Sequence, residues 1–344
     1  MDGFVCEDTV LVEYAPSLRR NVKPVTAIRA ALAGFISLST NLPHARARKA
    51  ASHVIKDVPY SVEGYVEQTL DVIRMRDAEG VQPALLYVHG GGFAVCSKET
   101  HEIITHQYAR MGFTVFSINY RLMPEHRYPA AFHDACAALL WVMKNAGRYG
   151  ADASKIVIAG ESAGANLSLG LAAAASYRDD SDPWAQKVYD ANPPIVAVLP
   201  ACGVLQVSGI HRLWSTDRRD PITRVILSAM QRDYLPVVDA LEHPPIWADP
   251  LLIVERRALT RPLPPTFTFC GTGDVLLEDT MRLGARLRAL GVRSECEIIP
   301  KEMHAFHALV WRPQAKKLWR QKRAFLQELL PELPRHPSAA AARG

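Results

Sequence analysis

The feature that most constrains this chain is an alternation. Short apolar runs rich in β-branched residues occur at 84–89 (ALLYVH), 114–120 (TVFSINY), 156–159 (IVIA), 195–199 (IVAVL), 266–270 (TFTFC) and 295–299 (ECEII). Between them lie longer helical patterns at about 101–111, 130–149, 163–177, 279–290 and 313–330. Continuous apolar runs of this length suit strands covered on both faces. Strand–helix–strand order in turn favours parallel pairing, because the helix returns the chain to the same end of the sheet. The expected class is α/β, a mostly parallel central sheet with helices on both faces. An antiparallel edge strand is expected around 65–76.

Two regions break the rhythm. The first fifty-odd residues read as helices at 25–38 and 45–54, ahead of the sheet. From 203 to 264 proline and arginine are frequent and no strand pattern appears, although a periodic helix falls near 223–235. An insertion of that length in an α/β sheet usually has a task, often as a lid. The expected organisation is N-terminal helices over 1–55, a core over 56–202, an insertion over 203–264, a second core part over 265–332 and a disordered tail over 333–344.

With 344 residues, 49% of them hydrophobic and 22% charged, the chain can bury a large core without disulfides or a structural metal. The net charge of +5 is modest, and the arginine pairs Arg19-Arg20, Arg218-Arg219 and Arg256-Arg257 are scattered. They read as solvated surface, which argues against nucleic acid as a partner. The six cysteines, Cys6, Cys96, Cys136, Cys202, Cys270 and Cys296, are far apart with no CxxC pair, so reduced and mostly buried thiols are expected. The opening MDGFVCEDTV is acidic where a secretory leader is basic, and the apolar run 30–38 is too short to span a bilayer. A cytoplasmic protein without stable membrane insertion is the expectation. The sequon Asn166-Leu167-Ser168 falls in an expected buried helix and is discounted. Oligomeric state is left open, a homodimer being compatible with the sequence.

The chemistry is concentrated in a few loops. Gly160-Glu161-Ser162-Ala163-Gly164 lies between the strand IVIA and the helical run ANLSLGLAAAA. This is the G-x-S-x-G nucleophile elbow, in which a serine sits on a sharp strand-to-helix turn and needs neighbours without bulk. Alone the pattern is weak, since a small-residue turn without chemistry would look the same. A second loop strengthens it: His89-Gly90-Gly91-Gly92-Phe93 directly follows the strand ALLYVH. Consecutive glycines let backbone N–H groups face a substrate oxygen, so Gly91 and Gly92, with Ala163 after the nucleophile, are the expected oxyanion donors. His89 reads as a loop-bracing hydrogen-bonder rather than as a base.

In this arrangement the chain order is serine, acid, histidine. Asp274 closes the segment Phe269-Cys270-Gly271-Thr272-Gly273-Asp274 just past a strand and is the expected acid. Glu278 and Asp279, its rivals, are explained by the start of a helix. His304, in the loop after SECEIIP, is the expected base, with His307 as rival. Such a triad works without cofactor or metal: the histidine deprotonates the serine, and an acyl-enzyme forms for water to hydrolyse.

HGGGF (89–93), YRLMPEHRYPAA (120–131), GESAGAN (160–166), GTGDVLLED (271–279) and EMHAFH (302–307) together resemble the hormone-sensitive-lipase-like family of α/β-hydrolases. The resemblance runs from about residue 60 to 330. It supports the triad and oxyanion positions above. It also implies that the N-terminal helices and the 203–264 insertion pack together as a cap over the site. Glu161 stands where the family more often has Asp, and Ala165 where it has Gly. YRLMPEHRYPAA reads as a scaffold in which Pro124 and Pro129 stiffen a loop and Arg121, Glu125 and His126 tie it to neighbours. The expected activity is cleavage of a carboxylic ester of a small, fairly apolar substrate. A tailoring deacetylase or lactone hydrolase shares the same triad, and a non-catalytic small-molecule receptor of this fold would lack the histidine that is present here.

Overall fold

In the computed structural model the described residues are 51–61, 63–215, 226, 227, 229–235 and 245–334, together with Ala27. Eight strands form one sheet: β1 (Ser52–Pro59), β2 (Thr69–Met75), β3 (Gln82–Val88), β4 (Thr114–Ile118), β5 (Ala151–Glu161), β6 (Ile195–Ala201), β7 (Thr266–Gly271) and β8 (Ser294–Ile299). Their order across the sheet is β1-β2-β4-β3-β5-β6-β7-β8. The β1–β2 and β2–β4 pairs are antiparallel, and every later pair is parallel. The α/β class and the parallel pairing follow the alternation in the sequence.

Strand β3 shows how the layers are built. All seven of its residues are buried, and side chains alternate between faces with period two. Leu86 and Val88 join the core formed with α2 (Ala130–Asn145), α3 (Ala163–Ser176) and α4 (Pro183–Ala191). Leu85 and Tyr87 join the opposite core, shared with α1 (Glu102–Arg110) and α7 (Pro313–Leu329). A third cluster, including Leu169, Leu251, Val254, Leu283 and Leu287, joins α3 to α5 (Pro250–Arg256) and α6 (Leu277–Ala289).

Several expectations need correction. The antiparallel strand near 65–76 exists, but β2 is internal and the edge is β1. That edge begins at Ser52, so the end of the helix expected over 45–54 is strand, and a boundary at 55 cuts through it. Residues 45–50, and the helix expected at 25–38 apart from the helical Ala27, lie outside the described residues. With seven of its eight residues, all those after Ser52, exposed or half-exposed, β1 lacks the apolar signature of an inner strand.

Helix α4 was not expected, although its signals are local. The Asp182 side chain accepts the N–H groups of Trp184 and Ala185, Pro183 opens the helix, and Asn192 closes it in a left-handed conformation. The last part of the expected insertion over 203–264 packs against the core. Trp247 stacks on Phe132 at 4.9 Å and donates to Asp179 at 2.8 Å. Of the helix expected at 223–235, the described residues include a π-helical turn, Met230–Tyr234. The tail is anchored further than expected: Leu333 is buried, and residues 335–344 lie outside the described set. No described helix is long and apolar enough to cross a membrane. The five described cysteines are unpaired, and Asn166 is buried, its amide donating to the carbonyls of Val204 and Ala248.

Candidate active site

Parallel strands bring their carboxyl ends to one edge, and loops leaving that edge are where ligands meet an open α/β sheet. Four adjacent strands here each end in a chemically capable side chain: Ser162 after β5, Cys202 after β6, Asp274 after β7 and His304 after β8. Ser162 has φ 55° and ψ −117°, a conformation that L-residues rarely adopt. It is held there by backbone bonds on both sides: its N–H donates to Ala201 at 2.9 Å, and its carbonyl accepts from Ala165 at 3.1 Å and Asn166 at 3.2 Å.

The turn is possible only because backbone meets backbone. A Cβ on Gly164 would lie 2.1 Å from the Val88 carbonyl oxygen, and one on Gly160 would lie 2.4 Å from that of Gly164. The start of α3 therefore presses against the end of β3, from which the glycine loop departs. In that loop Gly91 and Gly92 have φ of +109° and +60°. Among the described residues, no acceptor takes the N–H groups of Gly91, Gly92 or Ala163. These are the three expected oxyanion donors.

His304 and Asp274 meet directly. Nδ1 of His304 lies 2.8 Å from Oδ2 of Asp274, while the second carboxylate oxygen accepts the Leu276 N–H at 2.9 Å. Burial opposes ionisation of Asp274, but the His304 imidazole and these hydrogen bonds hold its pKa below the ordinary value. Burial likewise opposes charge on His304, and Asp274 outweighs it, with Cys202 adding to the effect, so the imidazole sits well above 6.5.

The rivals are otherwise engaged. His307 is 1% exposed, and burial pushes its pKa down to about 4 despite a neighbouring carboxylate. Asp279 is buried, pairs with Arg212 and accepts the N–H groups of Leu205 at 2.8 Å and Gln206 at 3.2 Å, so it shapes the loop after β6. Glu278 sits in the first turn of α6. His89 stacks on Tyr120 at 4.3 Å and donates from Nδ1 to the Gly90 carbonyl at 2.8 Å. Burial takes it down to about 3, so it braces the loop in its neutral form.

The 120–131 segment is the scaffold its residues indicated. Tyr120 donates to the His89 carbonyl at 3.0 Å, and Met123 to that of Phe93 at 2.8 Å. Arg121 grips the fully buried Asp134 through its guanidinium (2.7 Å) and its own N–H (2.8 Å). Above the glycine loop, Tyr234 stacks on Phe93 at 3.9 Å.

From sequence Cys202 reads as a packing residue, with a regulatory thiol as the alternative. Its thiol lies within 4.8 Å of both the Asp274 carboxylate and the His304 imidazole, and burial raises its pKa. Its one visible signal was position, just past a strand end in the same row as Ser162 and Asp274. This trio is the only grouping among the described residues compact enough to hold a metal ion. Asp274 and His304 already satisfy each other within it.

A strained serine on a strand-to-helix turn, a glycine loop beside it and a carboxylate–imidazole pair thus stand along one edge of an α/β sheet. A family model described as the alpha/beta hydrolase fold matches residues 85–308, and the chain belongs to this family, in its hormone-sensitive-lipase-like branch. Among curated relatives, the chain is 31% identical over 226 residues to carboxylesterase NlhH of Mycobacterium tuberculosis, covering 65% of this chain and 66% of that one. It is 32% identical over 228 residues to an acetyl esterase of Salmonella paratyphi B, covering 65% of each. The match thus spans just under two thirds of these relatives' lengths. Among solved structures, esterase LipW of Mycobacterium marinum superimposes with a TM-score of 0.72 at 27% identity, over 92% of this chain and 96% of that one.

Proposed function

We propose that this protein hydrolyses carboxylic esters of small, fairly apolar substrates through an acyl-enzyme on Ser162. The observation that carries this reading is the 2.8 Å Asp274–His304 contact at the strand edge that also carries a serine held at φ 55°. His304 takes the Ser162 proton as Oγ bonds to the substrate carbonyl carbon. The resulting oxyanion is received by the N–H groups of Gly91, Gly92 and Ala163. Collapse breaks the bond to the alkoxy oxygen, which leaves as the alcohol with the proton from His304. Water, deprotonated by the same imidazole, then releases the acid and restores Ser162. Asp274 fixes the tautomer of His304 and stabilises its charged form. No step requires a cofactor. The relatives named carboxylesterase and acetyl esterase support the same chemistry.

The test is labelling by a fluorophosphonate probe, followed by a panel of p-nitrophenyl esters of increasing acyl length. Labelling and turnover are expected in the wild type and absent in Ser162→Ala. A wild type inert to the probe at every pH would overturn the reading.

A further inference from the structure

Glu161 precedes Ser162 and ends β5 with its side chain buried. A lone buried carboxylate is costly, so its partners must be strong. Both partners here are imidazoles. Oε1 lies 2.7 Å from Nε2 of His101, and Oε2 lies 3.0 Å from Nε2 of His307.

Each histidine reaches a different catalytic loop. Because Nε2 of His101 gives its proton to Glu161, the nitrogen of Gly90, the residue before the expected oxyanion donors, meets it at 3.3 Å as a packing contact and not as a second hydrogen bond, while Nδ1 of His101 contacts Thr100 Oγ1 at 2.6 Å. Gly90 itself rests on the carboxylate arm: a Cβ there would lie 3.2 Å from Cγ of Glu161 and 3.3 Å from Cβ of Ser162. His307 follows His304 by three residues, and its carbonyl is fixed by the Trp319 indole at 3.0 Å.

We propose that Glu161 is a positioning residue for the hydrolysis, one carboxylate that aligns the oxyanion loop through His101 and the loop of the base through His307. The inference rests on the site reading given above. Glu161 touches no reacting atom; it acts by fixing the mutual placement of three loops that must agree within a fraction of an ångström. Burial opposes its charge, but His101 and then His307 hold it well below the carboxylate range, so the acceptor stays ionised. His307 is neutral near pH 7, its pKa taken down to about 4 by burial. Its Nε2 faces the carboxylate at 3.0 Å, a close charge–dipole contact whose angle falls outside hydrogen-bond geometry, and Nδ1 has no hydrogen-bond partner among the described residues, so the ring proton is assigned to Nε2. Lys322, also buried, lies 4.2 Å from the Trp319 ring centroid and 4.5 Å from that of Phe269, and closes the cluster on the α7 side.

The test is steady-state kinetics on a p-nitrophenyl ester with purified full-length variants. Glu161→Gln keeps the shape but turns an amide N–H toward one imidazole donor, so one link is lost. The expected result is a fall in kcat on the order of 10–100-fold with KM within about twofold, since misplacement acts on the transition state. His307→Gln keeps an N–H for Glu161 and should retain most of kcat, whereas His307→Leu should fall as Glu161→Gln does. The Glu161→Gln/His307→Leu double variant should be no slower than the worse single one. Unchanged kcat in a folded Glu161→Gln protein would overturn the inference. Equal activity of His307→Gln and His307→Leu would do the same, including where Glu161→Gln does not fold. A wild type without serine reactivity would instead strike the hydrolase reading itself.

Discussion

Ile226 occupies the space that a side chain on Gly92 would need: a Cβ at Gly92 would lie 2.2 Å from Cγ2 of Ile226 and 3.3 Å from the Met230 sulfur. The segment that stacks Tyr234 on Phe93 thus also presses directly on an expected oxyanion donor.

Ile226→Ala removes that wall. We expect kcat/KM for hexanoate or longer p-nitrophenyl esters to rise roughly tenfold relative to the acetate, because one or two methylenes of pocket space are worth about 1–3 kcal/mol. The chain-length series checks this. A preference unchanged from wild type would place the acyl group elsewhere.

Asp274→Asn should lower kcat by about 10⁴-fold with little change in KM, the loss expected when the imidazole is left in the wrong tautomer. Glu278→Gln, on the solvent side of α6's first turn, should have no such effect. Parallel kinetics of the two distinguish the acid from its rival.

The pH profile follows from the paired groups. His304 is a base only when neutral, and its pKa is raised above 6.5. Activity of the free enzyme should therefore climb through an acid limb lying above 6.5, and Asp274→Asn should move that limb downward. For stability the signs differ. The raised pKa of His304 contributes stability that is complete below about 6.5 and lost as pH rises through the folded value. The lowered pKa of Asp274 contributes stability present above 3.8 and lost as pH falls through its folded value. Thermal melts across pH, compared between wild type and His304→Ala, read both ends.

Arg121→Leu leaves Asp134, whose side chain is fully buried, without its cation. Breaking a buried pair in this way costs about 3–5 kcal/mol, so a clear drop in Tm is expected. The same scaffold carries the bonds to the His89 and Phe93 carbonyls, and turnover should fall in the fraction that stays folded. A Tm within a degree of wild type would refute the brace.

Much of this was legible in the chain because the signals are local. The inner strands β3 to β7 are apolar on both faces, and the elbow and glycine loop are contiguous motifs. What escaped depends on neighbours distant in sequence. Strand β1 carries Lys56 and Asp57 on an edge, so nothing apolar announces it. The contact of Cys202 with His304 joins residues from different strand ends. The Glu161 cluster joins residues 101, 161 and 307, and no spacing rule links them. Helix α4 is the reverse case, since Asp182-Pro183 and Asn192 bracketed it in plain view.

The seat of Gly164 against the Val88 carbonyl has a consequence for how such a protein can change. The gap between nucleophile turn and glycine loop is set by one peptide plane resting on another, with no side chain between them to shorten or extend. Single substitutions cannot tune that gap; they can only break it. Adaptation to new substrates is thereby channelled away from the sheet edge and into residues such as Ile226, where a lost or gained methyl alters what fits without disturbing what reacts.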